Sequence, residues 1–401
     1  MIEPGESRGR RGPRDDRAPA AAVLRVLAAP NAFKGSLDAP GVAEAMARGV
    51  GRACPGAVVR HLPVADGGDG TGEVLRAALQ GVSEVCAVPD AWGRHHRARL
   101  VLLPGGDAVV ELASACGLGR RRPGPEAALT ASSLGVGRLV AAALARGARH
   151  VWVALGGSAS TDGGAGLLRG LGARLLTSRG APPPDGGGGL PQVAAIDLSG
   201  LPWRGSPPIT ALVDVDNPLL GPRGAARAFG PQKGADAPAV ERLEAALAHW
   251  AGVAEAAAGR ACRDLAGAGA AGGCGFGLAL LGVRLRPGGE AVAQLLDLDG
   301  ALEWADLVLT GEGGLDAQTA NGKAPGVVAA HAAAAGVPAI ALAGALGPGW
   351  RGLLRPEGPF CACLALGQGP RSRWQALAGT ANDVEDAAET AVRLFVAGRG
   401  P

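Results

Sequence analysis

Residues 306–325 read DLVLTGEGGLDAQTANGKAP, and the fold turns on how this stretch is understood. Leu307-Val308-Leu309 is short, apolar and partly β-branched, as a strand buried in a parallel sheet must be. Thr310-Gly311-Glu312-Gly313-Gly314 breaks the run, and Asp316, Thr319 and Asn321-Gly322-Lys323 precede the next helical run. Carboxylates, hydroxyls, an amide and an amine thus gather beyond the C-terminal end of a strand, the edge where open α/β sheets bind ligands. The glycines let backbone N–H groups approach an anion closely. The same pattern would also serve a plain strand-to-helix turn with capping side chains.

Composition favours the ligand reading. The 401-residue chain has 39 basic residues, and only Lys34, Lys233 and Lys323 are lysine. A lysine kept against an arginine bias points to a need for a compact ammonium that a planar guanidinium does not meet. All three lie in turns punctuated by Gly or Pro: PNAFKGS, GPQKGA and NGKAP.

The same composition excludes several classes. Net charge is +3, which gives no general affinity for nucleic acid or membrane. Aromatic content is 3% with no Tyr, too little for base-stacking platforms. No uninterrupted apolar run has membrane-span length. Residues 1–22, rich in Arg, Pro and Gly, read as a disordered extension and not a secretion signal. Seven cysteines without repeated spacing, and six histidines without ligand spacing, fit a reduced cytoplasmic protein.

Both ends of the chain repeat the strand-then-polar-turn arrangement. Val23–Ala29 is a strand that runs into the turn bearing Lys34, and Val58–Leu62 runs into Asp66-Gly67-Gly68-Asp69. Strands at 307–309, 338–343 and 360–366 close the chain. Between them, 85–88, 97–103 and 108–112 read as antiparallel strands with no intervening helix, which marks a change of architecture. Val151–Leu155 opens into Gly156-Gly157-Ser158-Ala159-Ser160-Thr161-Asp162, a turn suited to cradling an anion. Thr210–Val215 ends in Asp214 and Asp216, which alternation would place on one face as a candidate Mg²⁺ pair. Gly267–Gly272 formally matches G-x-G-x-x-G, but a helix precedes it, so it reads as a flexible or close-packing stretch. Gly322-Lys323 lacks the rest of a P-loop.

The expected fold is α/β. A flavodoxin-like, doubly wound parallel sheet would be built from residues 23–70 and 290–400. A second α/β domain with a mixed sheet, residues 71–289, would be inserted between them. Glycine turns, acids and lysines without haem, thiol or zinc motifs point to phosphoryl transfer onto a small polar substrate.

Five segments carry a resemblance: APNAFKGSL at 29–37, PVADGGDGT at 63–71, LGGSASTDGGAG at 155–166, DVDNPLLGPRGAARAFGPQKGA at 214–235, and ADLVLTGEGGLDAQTANGKAP at 305–325. Together they resemble the type I glycerate kinase family, the glycerate 2-kinases. The resemblance implies ATP- and Mg²⁺-dependent phosphorylation of D-glycerate, usually to 2-phosphoglycerate, in a cytoplasmic enzyme; homo-oligomers are left open. Lys34, Lys233 and Lys323 would hold phosphates or the substrate carboxylate. Asp66, Asp162 or Asp316 would orient or deprotonate the hydroxyl. Gly156, Gly157, Ser158, Gly311 and Gly313 would contact the nucleotide, and Asp214, Asp216 and Glu312 the metal. Departures from the usual family pattern are Gly314 in place of Arg, Thr161 in place of Asn, and Asp69 in place of Glu. The alternatives are a kinase for another hydroxy acid or sugar acid, phosphorylation at the 3-hydroxyl, or a ligand sensor that has lost catalysis.

Overall fold

The computed structural model describes residues 23–399 apart from 120, 202, 204, 321 and 368. The N-terminal extension and Asn321 therefore lie outside the described residues. The first two strands, β1 (Arg25–Ala28) and β2 (Val58–His61), are followed by eight that belong elsewhere. These are β3 (Val82–Pro89), β4 (His95–Leu102), β5 (Asp107–Glu111), β6 (His150–Ala154), β7 (Arg174–Leu176), β8 (Ala195–Asp197), β9 (Ile209–Val213) and β10 (Arg284–Pro287). The chain then returns with β11 (Leu307–Glu312), β12 (Ala339–Ala343) and β13 (Ala362–Ala365).

The first sheet has the order β13-β12-β11-β1-β2, parallel throughout. Numbered by its own strands this is 2-1-3-4-5, the flavodoxin-like order, with its switch point between β1 and β11. Burial follows the pleat. Val26, Ala28, Leu307, Leu309, Ile340 and Leu342 face helices Ala39–Ala53 and Thr380–Gly398, while Leu27, Val308, Ala339 and Ala341 face the opposite way. The two outer helices approach closely because Gly49 has no side chain: a Cβ there would collide with the backbone oxygen of Glu385. Glu385, itself buried, is held by Arg48 at 2.7 Å and Arg52 at 2.5 Å.

The second sheet has the order β10-β9-β6-β5-β4-β3 and is mixed, with β3, β4 and β5 antiparallel and the rest parallel. The hairpin expected at 104–107 joins β4 to β5. Strands β7, β8 and β10 were not legible. β10 reads Arg-Leu-Arg-Pro and is tolerated as an edge strand, where a terminal proline breaks no central ladder.

One apolar cluster joins Val101, Val109, Trp152 and Leu212 of the second sheet to Leu27, Val308 and Ala341 of the first. Helices Thr71–Ala78, Gly288–Leu295, Leu298–Trp304 and Ala324–Ala334 supply many of the other members of that cluster. The segment 125–145 has the length and hydropathy of a membrane span, yet it is two helices, Pro125–Thr130 and Leu134–Ala145, and 61% of it is buried. The chain passes between the sheets near 62–71 and again near 287–298, and the two crossings touch. A Cβ on Gly67 would lie 2.6 Å from the Gly288 Cα.

His331 ties three of the central helices together. Its Nδ1 lies 2.7 Å from Asp299 and its Nε2 3.0 Å from Glu290. Burial lowers the imidazole pKa, but the hydrogen bonds to the two carboxylates outweigh this and raise it overall. A raised folded-state pKa adds stability below the unfolded value of about 6.5, and that stability is lost as pH rises through the folded value. Because both carboxylates are substantially exposed, the gain stays below about 1 kcal/mol. Thermal melts of wild type and His331→Gln should differ at pH 5.5 and converge at pH 9; a difference independent of pH would remove the protonated clip.

Candidate active site

The turns after β1 and β11 are stitched together across the switch point. The Asn31 N–H donates to the Gly311 carbonyl at 2.9 Å, and the Thr310 hydroxyl to the Ala29 carbonyl at 2.6 Å. The Asn31 side chain caps its own turn at Ala32 N (2.8 Å) and reaches Asp66 at 3.4 Å. Asp66, on the turn after β2, is buried. After β11, Gly322 takes a positive φ of 89° and Lys323 follows at the N-cap of helix Ala324–Ala334. The Lys323 ammonium sits 3.5 Å from Asp316 and 4.0 Å from Glu312, and Glu312 also accepts from Thr319 at 3.2 Å.

These groups open into a switch-point cavity of about 680 Å³. Lys34, Asp66, Glu312, Gly313, Gly314 and Lys323 line one part of it. Leu366, Arg371, Arg373, Ala376, Leu377 and Thr380 line another. A Cβ at Gly314 would meet no atom within 4 Å, so the position where the family usually carries Arg is open space.

A second cavity, of about 460 Å³, lies against the glycine turn after β6. Gly156, Gly157, Ser158, Asp69 and Lys233 are among its walls. The turn fits here because Gly156 abuts Gly68: a Cβ on Gly156 would be 2.5 Å from the Gly68 Cα. Gly157 has φ of 67°, a conformation that disfavours any side chain. Asp214 and Val215 line both cavities, so the two are lobes of one cleft that meet after β9.

Charge in the cleft is unevenly balanced. The Asp214 carboxylate touches solvent inside the cleft but is crowded by protein on its other sides. That desolvation, with the negative charge of Asp66, pushes its pKa up to about 6 against the opposing pull of Lys34 and Lys323. Burial likewise raises Glu312, partly offset by Lys323 and the Thr319 hydroxyl. Lys233 is buried and its pKa is pushed down to about 8 by desolvation.

The structure gathers Lys34, Asp66, Asp214, Glu312, Gly313 and Lys323 in one lobe, and Gly156, Gly157, Ser158, Lys233 and again Asp214 in the other. Other expected site residues lie elsewhere. Asp216 is not on the face of Asp214, because β9 ends at Val213 and the alternation stops with it; it pairs at the surface with Arg223. Gly311 is inside β11, where a Cβ would strike the Leu342 carbonyl, so its need for glycine is close strand packing. Asp162 is 1% exposed and faces neither lobe. It accepts from Ser133 N and Oγ (2.8 Å each), Gly164 N and Gly166 N (3.2 Å each), and so holds the loops behind the glycine turn. Asp316 borders the cleft through Lys323 without lining it.

Two features were missed. Asp69, which the expected site residues leave out, lines the glycine-turn lobe. Ala271, Gly272 and Gly273, read as a flexible or close-packing stretch, have φ of 53°, 70° and 91°, and a Cβ on Gly272 would lie 2.9 Å from the Lys233 ammonium. The glycines were the available signal; the left-handed alanine gave none.

A flavodoxin-like sheet whose switch point faces a glycine turn, with lysines and carboxylates between, belongs to the class of small-molecule phosphotransferases. The comparisons agree. The glycerate kinase family model matches residues 26–396. A glycerate kinase of Bacillus subtilis (strain 168) is 43% identical over 331 residues, covering 80% of this chain and 85% of that one. A glycerate 2-kinase of Escherichia coli (strain K12) is 40% identical over 326 residues, covering 80% and 86%. A crystal structure of a candidate glycerate kinase 2 from Salmonella typhimurium LT2 superposes with a TM-score of 0.81 at 37% identity, covering 94% of this chain and 100% of that one. The chain belongs to the glycerate kinase family, and it is a kinase.

The placement of the two aspartates yields a contrast. Asp162→Ala should strand buried donors and cost about 3 kcal/mol or more. Asp216→Ala, at an exposed ion pair, should change stability by under about 1 kcal/mol and leave activity near wild type. Denaturant unfolding of both variants, with turnover of the second, checks this.

Proposed function

We propose that the protein transfers the γ-phosphoryl group of ATP to the 2-hydroxyl of D-glycerate, giving 2-phospho-D-glycerate. The observation that carries the reading is the pair of lobes sharing a wall at Asp214 and Val215, which lets two different ligands meet inside one cleft. Lys34 and Lys323 supply the cations a transferred phosphate requires, and Gly313 brings open backbone beside them.

Mg²⁺ fits the donor set. Beyond the effect of burial, Asp66 raises the pKa of Asp214 across the cleft, and Glu312 lines the same lobe, although no three such side chains among the described residues stand close enough to hold an ion together. Mg²⁺ is usually held by one or two carboxylates together with substrate phosphates and water, so a dense protein cage is not required. Asp214 and Asp66 would hold it, and when bound it would neutralise charge on the phosphates. Asp69 or Asp316 is then left to orient the acceptor hydroxyl. The chain is read as a parallel-sheet domain from both ends with an inserted domain between, closing over its ligands to exclude water. All seven cysteines are free, which supports a reducing, cytoplasmic setting.

The test is ADP release from MgATP with D-glycerate, with phosphorus NMR of the product. A 2-phosphoglycerate product supports the reading, the 3-isomer overturns the choice of hydroxyl, and no turnover by folded protein overturns the substrate. Lys323→Ala should fold normally and lower kcat/KM about 100- to 1,000-fold, the scale expected for losing a charge-stabilising donor. Turnover equal to wild type would remove Lys323 from the site.

A further inference from the structure

We infer that Lys233 is the anchor for the carboxylate of the acceptor acid, so that the acid occupies the glycine-turn lobe and the nucleotide the switch-point lobe. This rests on the kinase reading above and goes further by dividing the cleft between its two ligands.

Lys233 is the one buried cationic side chain among the described residues, at 3% exposure. No carboxylate pairs with it there. Its ammonium donates to the Ser160 carbonyl at 2.5 Å, which uses one of three donors. The Cys274 and Cys116 thiols lie near it as weak acceptors, and Asp162 adds negative charge, but both oxygens of Asp162 are already committed to Ser133 and to backbone N–H groups. A buried charge left with unused donors is costly unless an anion arrives to meet it. The lobe Lys233 lines brings one route for that anion. The N–H groups of Gly157 and Ser158, which line the same lobe, donate to no acceptor among the described residues.

Size separates the two ligands. The glycine-turn lobe has about 460 Å³ and one lysine, which matches a short acid with a single negative group. The switch-point lobe has about 680 Å³, two lysines and the apolar side chains Leu366 and Leu377, which match a polyphosphate joined to a flat base. Asp69, also on the glycine-turn lobe, offers an acceptor to a hydroxyl of the acid. A Cβ on Gly272 would lie only 2.9 Å from Nζ, so the glycine is what leaves the ammonium its place.

The test uses full-length enzyme, MgATP, D-glycerate and its neutral amide, D-glyceramide. Lys233→Met removes the charge and keeps the length. It should melt at or above the wild-type temperature, because replacing an unpaired buried charge by an apolar side chain of similar volume is neutral or stabilising. KM for D-glycerate should rise about 10- to 100-fold while KM for ATP stays within about twofold, and the preference for glycerate over glyceramide should collapse. A rise in the ATP KM with glycerate unaffected would overturn the assignment in favour of the nucleotide. Unchanged constants with a lowered melting temperature would make Lys233 purely structural. Should wild type not turn over glycerate at all, the function reading fails separately. Calorimetric binding of D-glycerate to wild type and Lys233→Met then decides the anchor: equal affinity overturns it, and loss of binding in the variant supports it.

Discussion

Everything in the cleft depends on how closely backbone can approach backbone where the two sheets meet. Gly67 touches Gly288 at the two crossings, and Gly68 touches Gly156 where the turn after β2 meets the turn after β6. A Cβ on Gly67, Gly156 or Gly288 would lie within 2.6 Å of facing backbone. Side chains there would hold the C-terminal edges of the sheets apart, and the lobes would no longer share a wall at Asp214. The shared apolar cluster between the sheets then fixes the approach, because Val101, Trp152 and Leu212 pack in the same core as Val308 and Ala341. Glycine at these positions thus serves contact between units more than local flexibility.

Once the edges are together, the cleft collects charge that the protein does not neutralise by itself. Asp214 is destabilised by crowding and by Asp66, and Lys233 is buried without a carboxylate partner. Elsewhere the same chain pairs its buried charges carefully: Glu385 takes two arginines, and Asp90 takes Arg121 and two backbone N–H groups. The contrast is informative, since perturbed and unpaired groups gather where ligands complete the balance. It also explains the lysines. Arginine supplies the surface pairs, where its fork binds carboxylates in two-point contacts, while the cleft takes lysine where a small charge must fit.

The sequence made the first sheet and the switch point readable because their signals are local. Leu307-Val308-Leu309 is continuous and apolar, and the acids, glycines and lysine follow it directly. Lys34, Lys233 and Lys323 stood out against the arginine bias. The second sheet was only partly legible: its hairpin announced itself, whereas β10 lies at an edge and lacks an apolar pattern. The misplaced site residues share one cause. Asp162, Asp216 and Gly311 sit in motifs that do reach the cleft, but a motif does not say which of its members face inward. Asp216 would have followed Asp214 had β9 run three residues further. Asp162 looks catalytic in one dimension and is a bracket for the loops behind the turn in three.

The two kinds of glycine in the chain make the same point from the other side. Those at 67, 156 and 288 are required by contact with distant backbone, which no local pattern reveals. Those at 272 and 273 meet distant backbone too, at the Ser160 carbonyl and the Gly163 Cα, but they also take a left-handed conformation of their own, and a glycine-rich string does advertise that. Gly272 also borders the Lys233 ammonium, about forty residues earlier in the chain, which is enclosed there without a carboxylate partner among the described residues. An enclosure of that kind costs stability in the free protein unless a ligand completes it, so the most specific part of the cleft is also the part whose charge the fold leaves unfinished.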